Sequence, residues 1–137
     1  MARWLFKEEP THYSFADLVR DGRTLWNGVT NNLALQHLRL VRARDEVFFY
    51  HTGKEKAVVG VMRVVSDPRQ DSDTENAKMV VVEVEPVRPL ARPVTLAEIK
   101  ADAVLKGWDL TRLPRLSVVP VTDVQWRRIE EMSSSEA

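Results

Sequence analysis

The chain of 137 residues predicts an α+β fold, a small and mostly antiparallel β-barrel decorated by short helices. Three observations carry that expectation. Capping signatures recur at Ser14 with Asp17, Thr95 with Glu98 and Thr122 with Gln125, each marking a helix start. Between them lie runs rich in valine and aromatic residues that end in turn formers, as strands do. Strands and helices do not alternate regularly, which argues against a doubly wound parallel sheet.

In chain order, Arg3-Trp4-Leu5-Phe6 reads as a first strand that stops at Glu9-Pro10. Ser14 to about Arg20 is a helix, with Tyr13 and Leu18 flanking its cap as a hydrophobic staple. A further helix, from about Asn32 to Leu40, carries leucines at 33, 35, 38 and 40, a spacing closer to helix than to strand. Glu46 to Tyr50, Ala57 to Val65 and Met79 to Val87 read as strands. The last of these begins as an unbroken apolar run and finishes in period-two alternation, the pattern of a strand leaving a buried centre for a half-exposed edge. Asp67 to Lys78 is polar and reads as a solvated loop. The Thr95 cap is stapled by Val94 and Ile99, Leu116 to Val119 supplies one more strand, and the Thr122 cap is stapled by Val121 and Trp126. No repeat or linker divides the chain, so residues 1–132 are expected to form a single domain and 133–137 a flexible tail.

Composition bounds the function. A chain of this length buries roughly 68% of its unfolded surface, enough for a core without staples. Hydrophobic residues make up 44% and charged residues 29%, an ordinary globular balance. Twenty basic and twenty acidic residues cancel, so nucleic-acid affinity would have to come from a local patch and a pocket rather than from global basicity. There is no cysteine, which removes thiolate nucleophiles, disulfides and the usual zinc ligands, and the three scattered histidines do not make a metal site. No metal or cofactor is expected. No apolar run approaches the ~20 residues that cross a bilayer and no signal-peptide core is present, so the expectation is a cytoplasmic protein with no membrane partner.

The most informative stretch is Leu25-Trp26-Asn27-Gly28-Val29, ending at Asn31. A turn built on Asn-Gly displays its neighbours, and here the neighbour is a tryptophan. Trp26 is therefore either a core ring or a stacking surface for a base, a contact worth ~1–3 kcal/mol. Asn27 and Asn31 each offer a donor and an acceptor, suited to reading a base edge or to capping a turn and a helix. Lys7, Glu8 and Glu9 end an apolar strand, either as a solvated strand end or as the rim of a pocket, with a carboxylate accepting from a base amino group and Lys7 meeting a phosphate. Tyr50 and His51 end a second strand in the same manner. Arg115, Ser117, Arg39, Arg42 and Arg44 could form a local positive patch, although solvated faces are the commoner cause of such scatter. Trp126 has its staple role, and Trp4 and Trp108 are expected in the core. No nucleophile and base stand at a recognisable spacing, so no catalytic residue is assigned.

Read in order, six segments resemble the EVE domain family from Trp4 to about Ile129. They are Trp4-Leu5-Phe6-Lys7-Glu8-Glu9-Pro10, Tyr13-Ser14-Phe15 with Asp17-Leu18, Trp26-Asn27-Gly28-Val29 with Asn31, Asp45 to His51, Val59-Gly60-Val61, and Arg115 to Val121. No single segment is specific, but their common order is. The resemblance implies a PUA-like barrel related to the YTH readers of methylated adenine. It also implies a pocket for one flipped-out modified base, a modified cytosine in DNA or a modified base in RNA. Carried onto matching positions, that pocket would be lined by Lys7, Glu8, Glu9, Trp26, Asn27, Gly28, Val29, Asn31 and Ser117, with Tyr50, His51 and Arg115 as a possible rim. This chain departs from the family at Asn27, where Asp is frequent, and at Thr30-Asn31-Asn32-Leu33, where Arg-Asn-Tyr-Gln is common. The departures remove an arginine and an aromatic wall beside the pocket. The implied activity is recognition without chemistry. A small RNA-cleaving enzyme of the PUA-like group and a peptide- or metabolite-binding module are the alternatives.

Overall fold

The computed structural model describes residues 2–72, 75 and 78–134. In chain order the elements are β1 (Arg3–Glu8), α1 (Phe15–Asp21), β2 (Thr24–Trp26), α2 (Asn32–Leu38), β3 (Glu46–His51), β4 (Ala57–Val64), β5 (Arg69–Gln70), β6 (Val80–Thr95), α3 (Leu96–Ala101), α4 (Asp109–Arg112), β7 (Val118–Pro120) and α5 (Asp123–Ser134). The strands make one curled sheet in the order β2-β6-β4-β3-β1-β7, with β5 also on β6. Every pairing is antiparallel except β1 with β3, where Arg3 sits opposite Glu46 and Glu8 opposite His51. The result is the expected α+β, PUA-like arrangement as a half-barrel. α2 packs against both β7 and β6.

The capping signatures work as written. Asp17 N donates to Ser14 Oγ at 3.1 Å, and Ser14 N to the Asp17 carboxylate at 2.9 Å. The Thr95–Glu98 and Thr122–Gln125 pairs repeat the exchange at α3 and α5. α2 ends at Leu38, earlier than expected, and Leu40 is exposed. β6 runs eight residues beyond its expected end at Val87, through Pro89 and Pro93. Proline breaks a sequence-based strand pattern, but register shifts between β4 and β6 at Val58/Gly60 and Val61/Met62 are the irregularities where a strand tolerates it and bends. β5 lies within the expected loop; residues 73, 74, 76 and 77 of that loop are outside the described residues. Ser133 and Ser134, expected in the tail, instead complete α5. Ser133 is buried, donates to Arg92 O at 2.9 Å and accepts from Arg92 N at 3.2 Å. Residues 135–137 lie outside the described residues.

Two aromatic groups sit on opposite faces of the sheet, as strand alternation requires. On one face Phe6 and Phe49 flank Trp26 at centroid distances of 5.4 and 5.3 Å, and Phe15 from α1 meets Phe49 edge-on at 5.6 Å. On the other, Phe48 stacks on Trp126 of α5 at 3.7 Å, and the Arg3 guanidinium lies over Trp126. Trp4 is buried, its indole N–H donating to the buried Asp45 at 3.0 Å, and Trp108 donates to Pro120 O at 3.0 Å. Asp45 also accepts from the backbone N–H groups of Ala2 and Arg42, which ties the chain start to the turn before β3.

Gly60 permits the approach of α1. A Cβ at this position would stand 2.5 Å from the Phe15 ring. Gly60→Ala should therefore cost ~1–3 kcal/mol through overpacking, read as a lower urea midpoint. The loss should shrink when Phe15→Ala is combined with it; equal losses in both backgrounds would contradict the contact.

Candidate nucleic-acid interface

β1 alternation decides which of the expected pocket residues can meet. Glu8 continues the Phe6 face, toward Trp26, whereas Lys7 points to the opposite face with Tyr50 as its register partner. Glu8, His12, Tyr13, Thr24, Leu25, Trp26 and Asn27 line one cleft of about 360 Å³. Trp26 is 5% exposed, so the ring is part of the core as well as of the cleft lining, rather than freely displayed. Asn27 is exposed at the cleft, and Gly28 follows at φ +76°, the left-handed geometry that lets the chain turn away from β2. One Glu8 carboxylate oxygen accepts from Glu9 N at 2.9 Å and faces His12 Nδ1 at 3.2 Å. A carboxylate has about four acceptor sites, so capacity remains for a ligand donor.

The other expected residues lie elsewhere. Lys7 Nζ donates to Pro114 O at 2.9 Å and sits 5.7 Å from the Tyr50 ring centre, while Lys7 N donates to Ser117 O at 3.0 Å. These contacts gather Lys7, Tyr50 and Ser117 on the side away from Trp26. Asn31 and Arg115 line a second, more apolar groove with Leu33, Leu113, Pro114 and Leu116. Asn31 Oδ1 also accepts from Ala34 N at 3.0 Å, so it caps α2. Val29 is buried in the core. Glu9 is turned toward Thr11, Thr52 and Gly53, where its carboxylate fills the space a Gly53 side chain would need. His51 is buried, with Nε2 accepting from Phe15 N at 3.0 Å and Nδ1 2.8 Å from Glu55 Oε1. An acceptor Nε2 requires the proton on Nδ1, so His51 is a neutral bridge between α1 and β3 rather than a rim group.

The sequence reading missed His12, Tyr13, Thr24 and Leu25 as cleft residues. Tyr13 was legible only as a staple, and β2 is three residues long, too short to show a strand period. Among the described residues there is no group of three or more His, Cys, Asp or Glu that could hold a metal ion, and no helix long and apolar enough to cross a membrane.

The EVE domain family matches residues 2–132. This chain is an EVE domain. Thymocyte nuclear protein 1 of Rattus norvegicus is 31% identical over 97% of this chain and 74% of its own length. An NMR structure of a Rhodopseudomonas palustris protein superposes with a TM-score of 0.92 at 35% identity, covering 97% of this chain and 93% of that one. The crystal structure of human THYN1 protein in complex with 5-methylcytosine-containing DNA gives a TM-score of 0.93 at 29% identity, over 100% of both chains.

Burial pushes the Lys7 amine down from 10.5 to about 8, and burial pushes the Tyr50 hydroxyl up to about 12. An unfolded Lys7 keeps its proton up to 10.5 whereas the folded one loses it near 8. Between those values the unfolded state binds more protons, so stability rises with pH. Urea denaturation across this window should show the rise in the wild type and a flatter profile in Lys7→Met; identical profiles would contradict the assigned burial.

Proposed function

We propose that this EVE domain is a DNA-binding module that reads a methylated cytosine, held in the cleft formed by Glu8, Tyr13, Leu25, Trp26 and Asn27. The carrying observation is the full-length superposition, with a TM-score of 0.93, on human THYN1 protein in complex with 5-methylcytosine-containing DNA. The chemistry of the cleft supports the same base. Cytosine presents its N4 amino group as a donor, and a carboxylate is the side chain that accepts from it. Thymine presents an acceptor at that position and would face the Glu8 carboxylate unfavourably. Asn27 adds a donor and an acceptor beside it. Trp26, Tyr13 and Leu25 provide the apolar and aromatic surface against which a pyrimidine and its methyl group can pack. A cleft of about 360 Å³ is at the small end of ligand sites, about 300–1,000 Å³.

The action is recognition without chemistry. Extruding a base costs a few kcal/mol in a duplex and less in a single strand, and stacking plus two edge hydrogen bonds offsets it. One buried methyl contributes ~0.8 kcal/mol, so the selectivity for methylated over unmodified cytosine depends also on which polar groups an unmodified base leaves unpaired. His51 is engaged with Phe15 and Glu55, and Lys7 with Pro114, which leaves neither poised as an acid or base for cleavage.

Fluorescence anisotropy with short single strands of DNA carrying one cytosine or one 5-methylcytosine tests this. The methylated strand is expected to bind roughly tenfold to a hundredfold more tightly, ~1.4–2.8 kcal/mol. Asn27→Ala, an exposed change, and Glu8→Gln should each weaken the methylated complex. Equal binding of the two strands would refute the reading, and preference for the matching RNA strand would move it to RNA.

A further inference from the structure

Beside the cleft, the chain runs from Asn27 through the Gly28 turn into α2, and the far end of α2 opens onto a cationic groove that base reading does not use. Asn32, Leu35, Gln36, Arg39 and Lys78 line a shallow channel along α2. This channel shares Arg39 with a groove of about 470 Å³ lined by Arg39, Arg42, Asp67, Pro68, Arg69 and Gln70 together with Val80. The charges there are unevenly balanced. Arg39 Nη2 donates to Lys78 O at 2.8 Å, and Arg42 Nη1 to the carbonyls of Arg39 and Val41 at 2.7 and 2.8 Å, so both guanidinium groups are held by neutral acceptors. Arg69 faces Glu83 at 3.5 Å, an acceptor shared with Arg23 at 3.7 Å. The lining carboxylate, Asp67, accepts from Ala43 N at 2.9 Å.

Arg44 follows Arg42 in the chain. The Asp45 N to Arg42 O bond closes a turn in which Arg44 takes φ +80°, the third position of a type II turn that glycine fills without steric cost. The chain as a whole is neutral, with twenty residues of each sign, so a groove of this composition is a concentration of charge rather than a sample of the average surface.

We propose that the groove of Arg39, Arg42 and Arg69 binds the phosphodiester backbone of the DNA strand whose base enters the Trp26 cleft. The proposal rests on the base-reading function above. α2, seven residues long, spans roughly 10 Å, the distance a strand would follow from the cleft loop to Arg39. Planar guanidinium groups fixed by backbone carbonyls keep further N–H donors available, in a geometry suited to phosphate oxygens. The groove would position the strand without reading sequence, and the cleft would read the base.

The test is the salt dependence of binding, measured by anisotropy with both the methylated and the unmodified strand. Arg39→Gln with Arg42→Gln should reduce the slope of log affinity against log salt by about one per arginine and weaken both strands by a similar factor, roughly tenfold at low salt. The ratio of methylated to unmodified binding should persist. Arg39→Lys with Arg42→Lys should keep the slope, because the charge remains. Wild-type slope in the glutamine pair would overturn the proposal, as would loss of slope in the lysine pair together with a lowered melting temperature. Displacement by inorganic phosphate without any slope change on DNA would reassign the groove to a free anion and also overturn it. Failure of base reading would show separately, as a missing methylation preference in the wild type, while the slope still reports the groove.

Discussion

The contact of Phe15 with Phe49 across Gly60 is the constraint on which the rest of this domain depends. It seats α1 on the sheet, and α1 in turn places Tyr13 at one wall of the cleft while His51 takes the Phe15 N–H as a second anchor. Phe49 and Phe6 then hold Trp26 from two sides. Aromatic pairs in such tilted and edge-on geometries add ~0.5–1.5 kcal/mol each beyond area burial. The cleft lining is therefore preorganised by the same packing that stabilises the fold, and a base entering it meets a ring already fixed in place.

The pleat of β1 divides the charged strand end between two tasks. Glu8 falls on the Trp26 face and presents its carboxylate to the cleft, where the proposed base reading places the cytosine amino group. Lys7, one residue earlier, is drawn to Pro114 and the Tyr50 ring, where its ammonium ties β1 to the loop before β7. Glu9 leaves the strand and braces the turn at Thr52 and Gly53. Three consecutive polar residues thus line the cleft, link β1 to the loop before β7 and support a turn. The cationic residues lie farther along, past α2, so a neutral protein keeps the cleft carboxylate and the guanidinium groups of the groove apart, as the proposed base and backbone contacts require.

Much of the fold was legible because helix starts have local chemistry. The reciprocal Ser14–Asp17, Thr95–Glu98 and Thr122–Gln125 bonds form within four residues, so the sequence displays them directly. β6 was only half legible, since the stretch past Val87 runs through Pro89 and Pro93, and its pairing depends on register shifts against β4 that no local pattern shows. The cleft was legible in part. Trp26, Asn27 and Glu8 converge, but that convergence depends on the long-range pairing of β2 with β6 and β1 with β3, which no local pattern encodes. The same pairing sends Lys7 and Tyr50 to the other face and leaves Asn31 as a helix cap beside the Leu33–Leu113 groove. Family resemblance grouped these residues by their order in the chain, whereas the pleat separates them in space.

The most direct measurement is a backbone and indole amide NMR titration of the ¹⁵N-labelled domain with a DNA strand carrying a single 5-methylcytosine. The largest shifts are expected at the Trp26 indole N–H and at the amides of Tyr13, Leu25 and Asn27, saturating together. Shifts confined to Leu33, Leu113, Arg115 and Leu116, with the Trp26 indole unmoved, would place the base in the other groove and contradict the account.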